Sequence, residues 1–142
     1  MNERSRVRLP SGEKPAPPGP QTYDAFVSYN HDDRQVAAAV QRGLHRIGRR
    51  IGQLRALRVF RDSTDLTANP DLWGAVTAAL EASRFLILVA SPQAAASKWV
   101  VKELEDWIER RGVNQLLLVL ASGDLVWDEE AGRFDPERSS AA

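Results

Sequence analysis

Cysteine is absent from the sequence, and histidine occurs only twice, as His31 and His45. The absence of cysteine excludes disulfide bonds, thiolate catalysis and cysteine-ligated zinc, and it is compatible with a reducing compartment. Two isolated histidines without a cluster of further ligands give no support for a bound metal. We therefore expect a cytoplasmic protein that uses neither a metal ion nor a resident cofactor.

Long apolar segments and an excess of charge of either sign are also missing. The most apolar runs, FLILVA and LLLVLA, are far shorter than the roughly 20 residues that span a bilayer, and the amino terminus has no apolar signal-peptide core. The 19 basic and 19 acidic residues give a formal net charge of zero, so no overall field attracts nucleic acid or an anionic membrane. We expect neither of them as a partner.

The 142 residues suit one domain, and composition marks its two ends. Residues 1–21 hold five of the eight prolines and little apolar content, which predicts a disordered leader. From residue 128 the sequence is acidic and turn-forming, which predicts a flexible tail over 128–142. The folded domain is therefore expected to span 22–127.

Between these ends, short apolar strands alternate with longer segments of helical periodicity. The four predicted strands are YDAFVSY (23–29), LRVFRD (57–62), RFLILVA (84–90) and QLLLVLA (115–121). A segment of helical periodicity follows each of the first three. RFLILVA is apolar throughout, as expected of a strand that is covered on both faces. The order predicts an α/β fold in which a parallel sheet lies between helices on both faces.

In open sheets of this kind, ligands bind beyond the carboxyl ends of the strands, where the strand order reverses. In a flavodoxin-like order this point lies between the first and third strands. Residues just after Tyr29 and just after Ala90 are then predicted to border one crevice. The helix SKWVVKELEDW (97–107) begins beside that crevice.

This helix places Trp99 and Glu103 four residues apart on one flank. Glu103 is expected to border the core without entering it, because the apolar stripe runs through neighbouring positions, namely Val100, Leu104, Trp107 and Ile108. The spacing leaves two interpretations open. One is a solvated glutamate beside a half-buried tryptophan, and the other is a carboxylate and a ring that hold a substrate.

Three separated segments resemble the TIR (Toll/interleukin-1 receptor) domain family, particularly its bacterial members. YDAFVSY resembles the family's first-strand box, FRDSTDL the loop after its second strand, and SKWVVKEL the helix after its third. The segments occur in the family's order and spacing, and the resemblance covers 23–121. It implies a flavodoxin-like parallel sheet of five strands. Because only DLVWD and a polar tail follow LLLVLA, we expect the family's fifth strand and last helix to be missing here.

The resemblance implies one of two functions. Many bacterial and plant members cleave the nicotinamide–ribose bond of NAD⁺, whereas many animal members only assemble signalling complexes through contacts between TIR domains. In the NAD⁺-cleaving members a glutamate of this helix is catalytic, and a tryptophan four positions earlier often lies beside it. Those positions are Glu103 and Trp99 here. The favoured hypothesis is an NAD⁺ glycohydrolase of signalling or bacterial defence, activated by self-association; the alternative is a non-enzymatic assembly module.

Further candidates for substrate binding also come from the resemblance. Asn30 and His31 follow the first strand, where family members place polar side chains near the nucleotide. The open alternative is that Asn30 or Asp32 caps the next helix.

The loop after the second strand resembles the family's ligand-covering and assembly loop, which makes Phe60, Arg61 and Asp65 candidates as well. Arg61 is suited to pair with a phosphate, or alternatively with a neighbouring aspartate. Trp73, near the start of the second helix, is expected in the core rather than in the site.

Overall fold

Four strands within the described residues form one parallel sheet. The computed structural model describes residues 23–50, 59–61 and 71–141, with side chains for 23–48 and 72–141. The sheet order is β2-β1-β3-β4, and every pairing is parallel. The strands are β1 (Tyr23–Ser28), β2 (Val59–Arg61), β3 (Ser83–Ala90) and β4 (Leu116–Leu120). The flavodoxin-like order expected from the sequence is confirmed.

Helices cover both faces of this sheet. After a 3₁₀ turn at His31–Asp33 come α1 (Arg34–Arg50), α2 (Asp71–Glu81), α3 (Pro92–Ala96) and α4 (Lys98–Arg111). The short α3 has no counterpart in the sequence-based prediction. None of the helices in these ranges is both long enough and apolar enough to cross a membrane.

Strand alternation divides the core into two layers. Phe26 of β1 and Leu86 of β3 are register partners and point toward α2 and α4, where they pack with Leu80 and Trp107. The intervening positions point to the other face, toward α1; they include Ala25, Val27, Ile87 and Val89. Because β1 and β3 are interior strands, their carboxyl ends lie beneath helices on both sides.

Strand β4 lies at one edge of the described sheet. Leu86 N donates to Gln115 O and Ala121 N donates to Ala90 O. In a parallel pair, every second residue of a strand bonds to the neighbouring strand. Because residues 115 and 121 of this segment bond to β3, the backbone groups of Leu118 and Leu120 point away from β3, toward the open edge. The side chains of Leu117, Leu118 and Leu120 are 51%, 42% and 49% exposed. The described chain therefore presents an uncharged, leucine-rich sheet edge.

The segment after β4 folds back toward α3. Strands β5 (Trp127–Asp128) and β6 (Arg133–Phe134) form a two-stranded antiparallel hairpin. Ala141 is buried, and its N–H donates to Asp124 O at 3.2 Å. Gly123 has a φ of +80°, and a Cβ at this position would lie 2.7 Å from Ser140 Oγ. The structure thus gives a defined conformation to residues 128–141, where the sequence suggested a flexible tail.

Candidate active site

Glu103 and Ser28 meet at the carboxyl end of β1. Ser28 Oγ donates a 2.5 Å hydrogen bond to Glu103 Oε2, and the two residues are only 1% and 2% exposed. A carboxyl group at this depth costs free energy unless hydrogen bonds satisfy it. The expectation that Glu103 stays outside the core is wrong, because Ser28 offers it a polar partner inside.

The positions of both side chains follow from local sequence. Ser28 is the last residue of β1 and has the same alternation as Phe26, so it faces α4. Helix α4 begins after Ser97, whose Oγ accepts a hydrogen bond from Val100 N, and its buried residues Val100 and Trp107 direct one face of the helix toward the core. The register brings Glu103 over the end of the strand.

Trp99 lies one helical turn before Glu103 and packs against Trp73 of α2. The ring centroids are 5.8 Å apart and the ring planes are inclined by 40°. We call these two rings the Trp73–Trp99 pair. Both rings are half-buried and pack against the core layer that contains Trp107. Trp73 therefore belongs to the core, as expected, and also adjoins the predicted site.

Lys102 places its charge over this pair. Its Nζ lies 4.1 Å from the ring centroid of Trp73 and 5.5 Å from that of Trp99. Both distances fall within the reach of about 6 Å over which a ring face attracts a cation.

Asp106, three residues after Glu103, is a second carboxyl group on this part of α4. Its Oδ1 accepts a 3.2 Å hydrogen bond from Arg110 Nε. Burial raises the pKa of Asp106, the charge of Glu109 raises it further, and Lys102 lowers it. The fold thus disfavours the charged form of this carboxyl group.

A second serine–carboxylate pair joins the segments that follow β1 and β3. Ser91 Oγ donates a short hydrogen bond to Asp33 Oδ2 and accepts one of 3.0 Å from Ala94 N, which caps α3. Both members of the pair are buried. The predicted closeness of the residues after Tyr29 and after Ala90 is confirmed by this contact.

Asn30 and His31 make local contacts. Asn30 Oδ1 accepts a 3.0 Å hydrogen bond from Asp32 N and caps the 3₁₀ turn, which is the capping role left open by the sequence. The exposed His31 has its Nε2 3.4 Å from Arg34 Nη1. Their roles in substrate binding stay predictions.

The remaining candidates lie on or after β2. Phe60 and Arg61 are register partners of Phe26 and Val27 in β1, so the sheet brings their backbone next to the strand that ends at Ser28. Their side chains, and Asp65 altogether, lie outside the described residues. The predicted roles of all three stay predictions.

An apolar cavity of about 250 Å³ lies between β3, α3, α4 and the returning tail. Leu88, Val100, Leu104 and Ala141 are among its lining residues. The lining carries no charged side chain, which suits neither a phosphate nor a ribose. Glu103 and Trp99 do not line this cavity, so we do not assign it to the candidate site.

Sequence inspection missed Ser28, Asp33, Ser91 and Lys102. A signal for Ser28 was present, because one hydroxyl ends a strand of otherwise buried residues, and buried polar groups need partners. Which carboxylate it meets depends on helix packing. Lys102 gave no signal, because its contact with Trp73 depends on how α2 lies against α4.

Residues 25–135 match the family described as TIR domain. A protein named NAD(+) hydrolase ApTIR from Actinoplanes sp. is 52% identical over 120 residues, which are 84% of this chain and 17% of that protein. The chain therefore spans a small part of the length of this curated relative.

Solved structures with this fold include two animal receptors. The TIR domain of the Toll-related receptor TRR-2 from Hydra magnipapillata has a TM-score of 0.57 and 23% identity, over 75% of this chain and 76% of that one. A metazoan TIR-STING receptor from C. gigas has a TM-score of 0.57 and 24% identity, over 78% and 35%. At these identities the likeness concerns the fold alone. The family match covers most of the chain and agrees with the observed strand order, and the chain belongs to the TIR domain family.

Proposed function

We propose that this chain cleaves the nicotinamide–ribose bond of NAD⁺, with Glu103 as the catalytic carboxylate. The observation that carries the proposal is the Glu103 carboxyl, buried at the end of β1, held by Ser28 and one turn from Trp99. The 52% identity to a protein named NAD(+) hydrolase supports it. Because the chain spans 17% of that protein, the activity remains part of the proposal.

The chemistry of the substrate suits a single carboxylate. Nicotinamide in NAD⁺ is a pyridinium cation, so it leaves without a general acid. The bond between C1′ and the ring nitrogen breaks, both electrons stay on nitrogen, and nicotinamide departs as a neutral molecule. The ribose acquires oxocarbenium character, as in glycoside hydrolysis, and a carboxylate near C1′ stabilises that positive charge.

Hydrolysis is completed by water. The water oxygen forms a bond to C1′ and one proton passes to solvent, which gives ADP-ribose. If a base nitrogen of the same nucleotide forms the bond to C1′ instead, no water is added, the base gives one proton to solvent, and the product is a cyclic ADP-ribose, which chromatography separates from ADP-ribose. Neither route needs a second carboxylate or a metal ion.

Burial gives Glu103 two advantages in this role. Charges interact more strongly in a site that excludes water than at the surface. The hydrogen bond from Ser28 fixes the direction of Oε2, so less reorganisation is needed when the oxocarbenium ion forms. Trp99 supplies a ring face for the pyridinium, a contact worth roughly 0.5–2 kcal/mol.

The decisive experiment compares two glutamates of α4. Purified protein is incubated with NAD⁺ and nicotinamide release is followed by chromatography, for the parent, Glu103→Gln and Glu105→Gln. Glu105 is exposed on the same helix and serves as the control. We expect Glu103→Gln to lose roughly 100-fold or more of the rate, while Glu105→Gln keeps it.

Glutamine is preferred to alanine at position 103 because the site is buried. Alanine would leave a cavity and an unpaired Ser28 hydroxyl, whereas the glutamine amide oxygen still accepts that hydrogen bond. A folded Glu103→Gln protein with the parental rate contradicts the assignment. A parent that releases no nicotinamide at any concentration favours the assembly module instead.

Self-association is the second part of the proposal, and NAD⁺ and other TIR domains are the proposed partners. Glu103 and Trp99 come from one helix and offer few groups for the adenosine and phosphates, so a neighbouring molecule is proposed to complete the site. Association then populates the competent state. The cytoplasmic location expected from the absence of cysteine belongs to the same proposal.

The test of association is the initial rate per molecule across a wide dilution series. We expect specific activity to rise with protein concentration, and Arg61→Ala and Asp65→Ala to weaken that rise. Constant specific activity from a demonstrated monomer contradicts a shared site and leaves the role of Glu103 intact.

A further inference from the structure

The Trp73–Trp99 pair already has a cation over its rings, and that cation belongs to this chain. Lys102 Nζ lies close to both ring centroids, at 4.1 Å and 5.5 Å. Lys102 also directly precedes Glu103 in α4. The ammonium therefore lies over the aromatic pair whose Trp99 is one helical turn from the proposed catalytic carboxylate.

The substrate brings a second cation to the same place. The nicotinamide ring of NAD⁺ is positively charged, and the proposed function places it on the Trp99 ring. Two cations repel each other, and the rings of the Trp73–Trp99 pair attract both. A pyridinium that packs on Trp99 near Lys102 therefore displaces the ammonium or binds less tightly beside it.

We propose that Lys102 is a built-in competitor of the pyridinium ring. It covers the Trp73–Trp99 pair while the site is empty, leaves when NAD⁺ binds, and returns after the bond to ribose has broken. The return follows from charge, because nicotinamide becomes neutral on cleavage while the ammonium keeps its charge. Lys102 thereby weakens substrate binding and favours release of nicotinamide.

The structure gives the displaced ammonium a destination. Lys102 is exposed on a long, flexible side chain, and the carboxyl of Asp106 lies one helical turn further along α4. Burial and Glu109 raise the pKa of Asp106, whereas the charge of Lys102 lowers it. Movement of Nζ toward Asp106 would exchange one favourable contact for another.

A purely structural role for Lys102 predicts the opposite result. If the ammonium only clamps Trp73 against Trp99, its removal loosens the pair and weakens binding of any ring. If it competes, its removal frees the ring faces and strengthens binding of a cationic ring. The sign of the change in affinity separates the two roles.

The first experiment uses a probe that needs no catalysis. The probe is 1-methylnicotinamide, a cationic ring without ribose, titrated into the whole chain and followed by NMR of the tryptophan indole N–H groups. We expect the Kd to fall about 2- to 5-fold in Lys102→Gln, the range implied by an exposed cation–π contact. Lys102→Arg should keep the parental Kd because it keeps the charge.

The control is Lys98→Gln. Lys98 is exposed one turn earlier on the same helix, so the substitution removes the same charge without touching the pair. We expect the parental Kd in this variant. A Kd in Lys102→Gln that is unchanged or higher, in a protein with the parental melting temperature, overturns the proposal.

The second experiment follows turnover of NAD⁺, and here the inference rests on the proposed function. Lys102→Gln should lower KM and strengthen product inhibition by nicotinamide, whereas Lys98→Gln should change neither. Unchanged product inhibition contradicts the release role. If the parent does not cleave NAD⁺ at all, the proposed function fails, whereas the titration with 1-methylnicotinamide still decides whether Lys102 competes for the rings.

Discussion

Ser28 Oγ and Glu103 Oε2 are joined by a 2.5 Å hydrogen bond, although the two residues are 75 positions apart in the chain. The bond connects the end of an interior strand to the middle of α4. It makes Ser28 a positioning residue for the proposed catalytic carboxylate, because it restricts where Oε2 points.

Ser28→Ala is expected to lower kcat for NAD⁺ about 10- to 100-fold and to change KM by no more than about 2-fold. A hydrogen bond to a charged group contributes about 1.5–3 kcal/mol, and this one orients a group that acts mainly in the transition state. The measurement is steady-state nicotinamide release, with a urea unfolding curve to establish that the variant is folded.

The control for Ser28 is Ser83→Ala. Ser83 is equally buried, and its Oγ donates to Ala79 O at 2.7 Å, so the substitution also removes a buried hydrogen bond. It should lower the free energy of unfolding without lowering kcat. Equal effects of the two substitutions on kcat would assign Ser28 a structural role only.

Trp99→Ala is expected to raise KM about 2- to 30-fold and to leave measurable turnover. It removes the ring face under the pyridinium, worth roughly 0.5–2 kcal/mol, while Glu103 remains in place. Trp127→Ala is the control, because that ring is 54% exposed on the β5–β6 hairpin. If both variants retain the parental KM, nicotinamide does not pack on Trp99.

Asp106→Asn is expected to change the free energy of unfolding more favourably at neutral pH than at acidic pH. The pKa of Asp106 is raised above 3.8, chiefly by burial. At pH values between 3.8 and this raised pKa, the folded state holds a proton that the unfolded state has lost. The parent therefore loses stability as pH rises through this window, and the penalty persists at higher pH.

Asparagine carries no such charge and still offers an oxygen to Arg110. Urea unfolding at several pH values should show the free energy of unfolding of Asp106→Asn gaining on that of the parent as pH rises from about 4 to 7. A constant difference across this range contradicts the prediction.

Gly123→Ala is expected to destabilise the returning tail more than Gly132→Ala. Both glycines have positive φ, +80° and +62°, and a side chain in this conformation costs about 1–2 kcal/mol. At Gly123 a Cβ would also meet Ser140 Oγ at 2.7 Å, whereas nothing lies within 4 Å at Gly132. Equal losses of unfolding free energy would mean that Ser140 moves away without cost.

Leu118→Lys is expected to reduce concentration-dependent aggregation measured by light scattering. The substitution places a charge on β4, an edge strand of the sheet that the described residues form, where an uncharged edge invites pairing with another chain. Val113→Lys adds the same charge in the exposed turn before the strand and should have a smaller effect. Equal scattering from both variants would show that net charge, and not the edge, controls solubility.

Hydrophobic periodicity was enough to predict most of the fold. The predicted strand at 84–90 corresponds to β3, and its continuous apolar character matches its interior position. The predicted strand at 115–121 corresponds to β4, which is equally apolar, yet it lies at the edge of the described sheet and three of its leucines are exposed. Periodicity shows which residues a strand is able to bury, and it does not show whether a neighbour covers them.

The sequence predicted only the part of the candidate site that lies within one helix. The spacing of Trp99 and Glu103 is a property of one helix, and the structure keeps them on one flank. Contacts between distant elements had no local signal, because Ser28 meets Glu103 where β1 faces α4 and Lys102 meets Trp73 where α4 packs beside α2. The five-residue α3 was too short for its pattern to be recognised.

The buried pair of Ser28 and Glu103 also constrains how related domains are able to lose activity. A hydroxyl or carboxyl that loses a hydrogen-bond partner at this depth is costly, whereas replacement of both by apolar residues of similar shape is close to neutral. We therefore expect the two positions to be inherited together. Among relatives with an apolar residue at position 103, position 28 should also be apolar, and such domains would keep the fold as inert scaffolds.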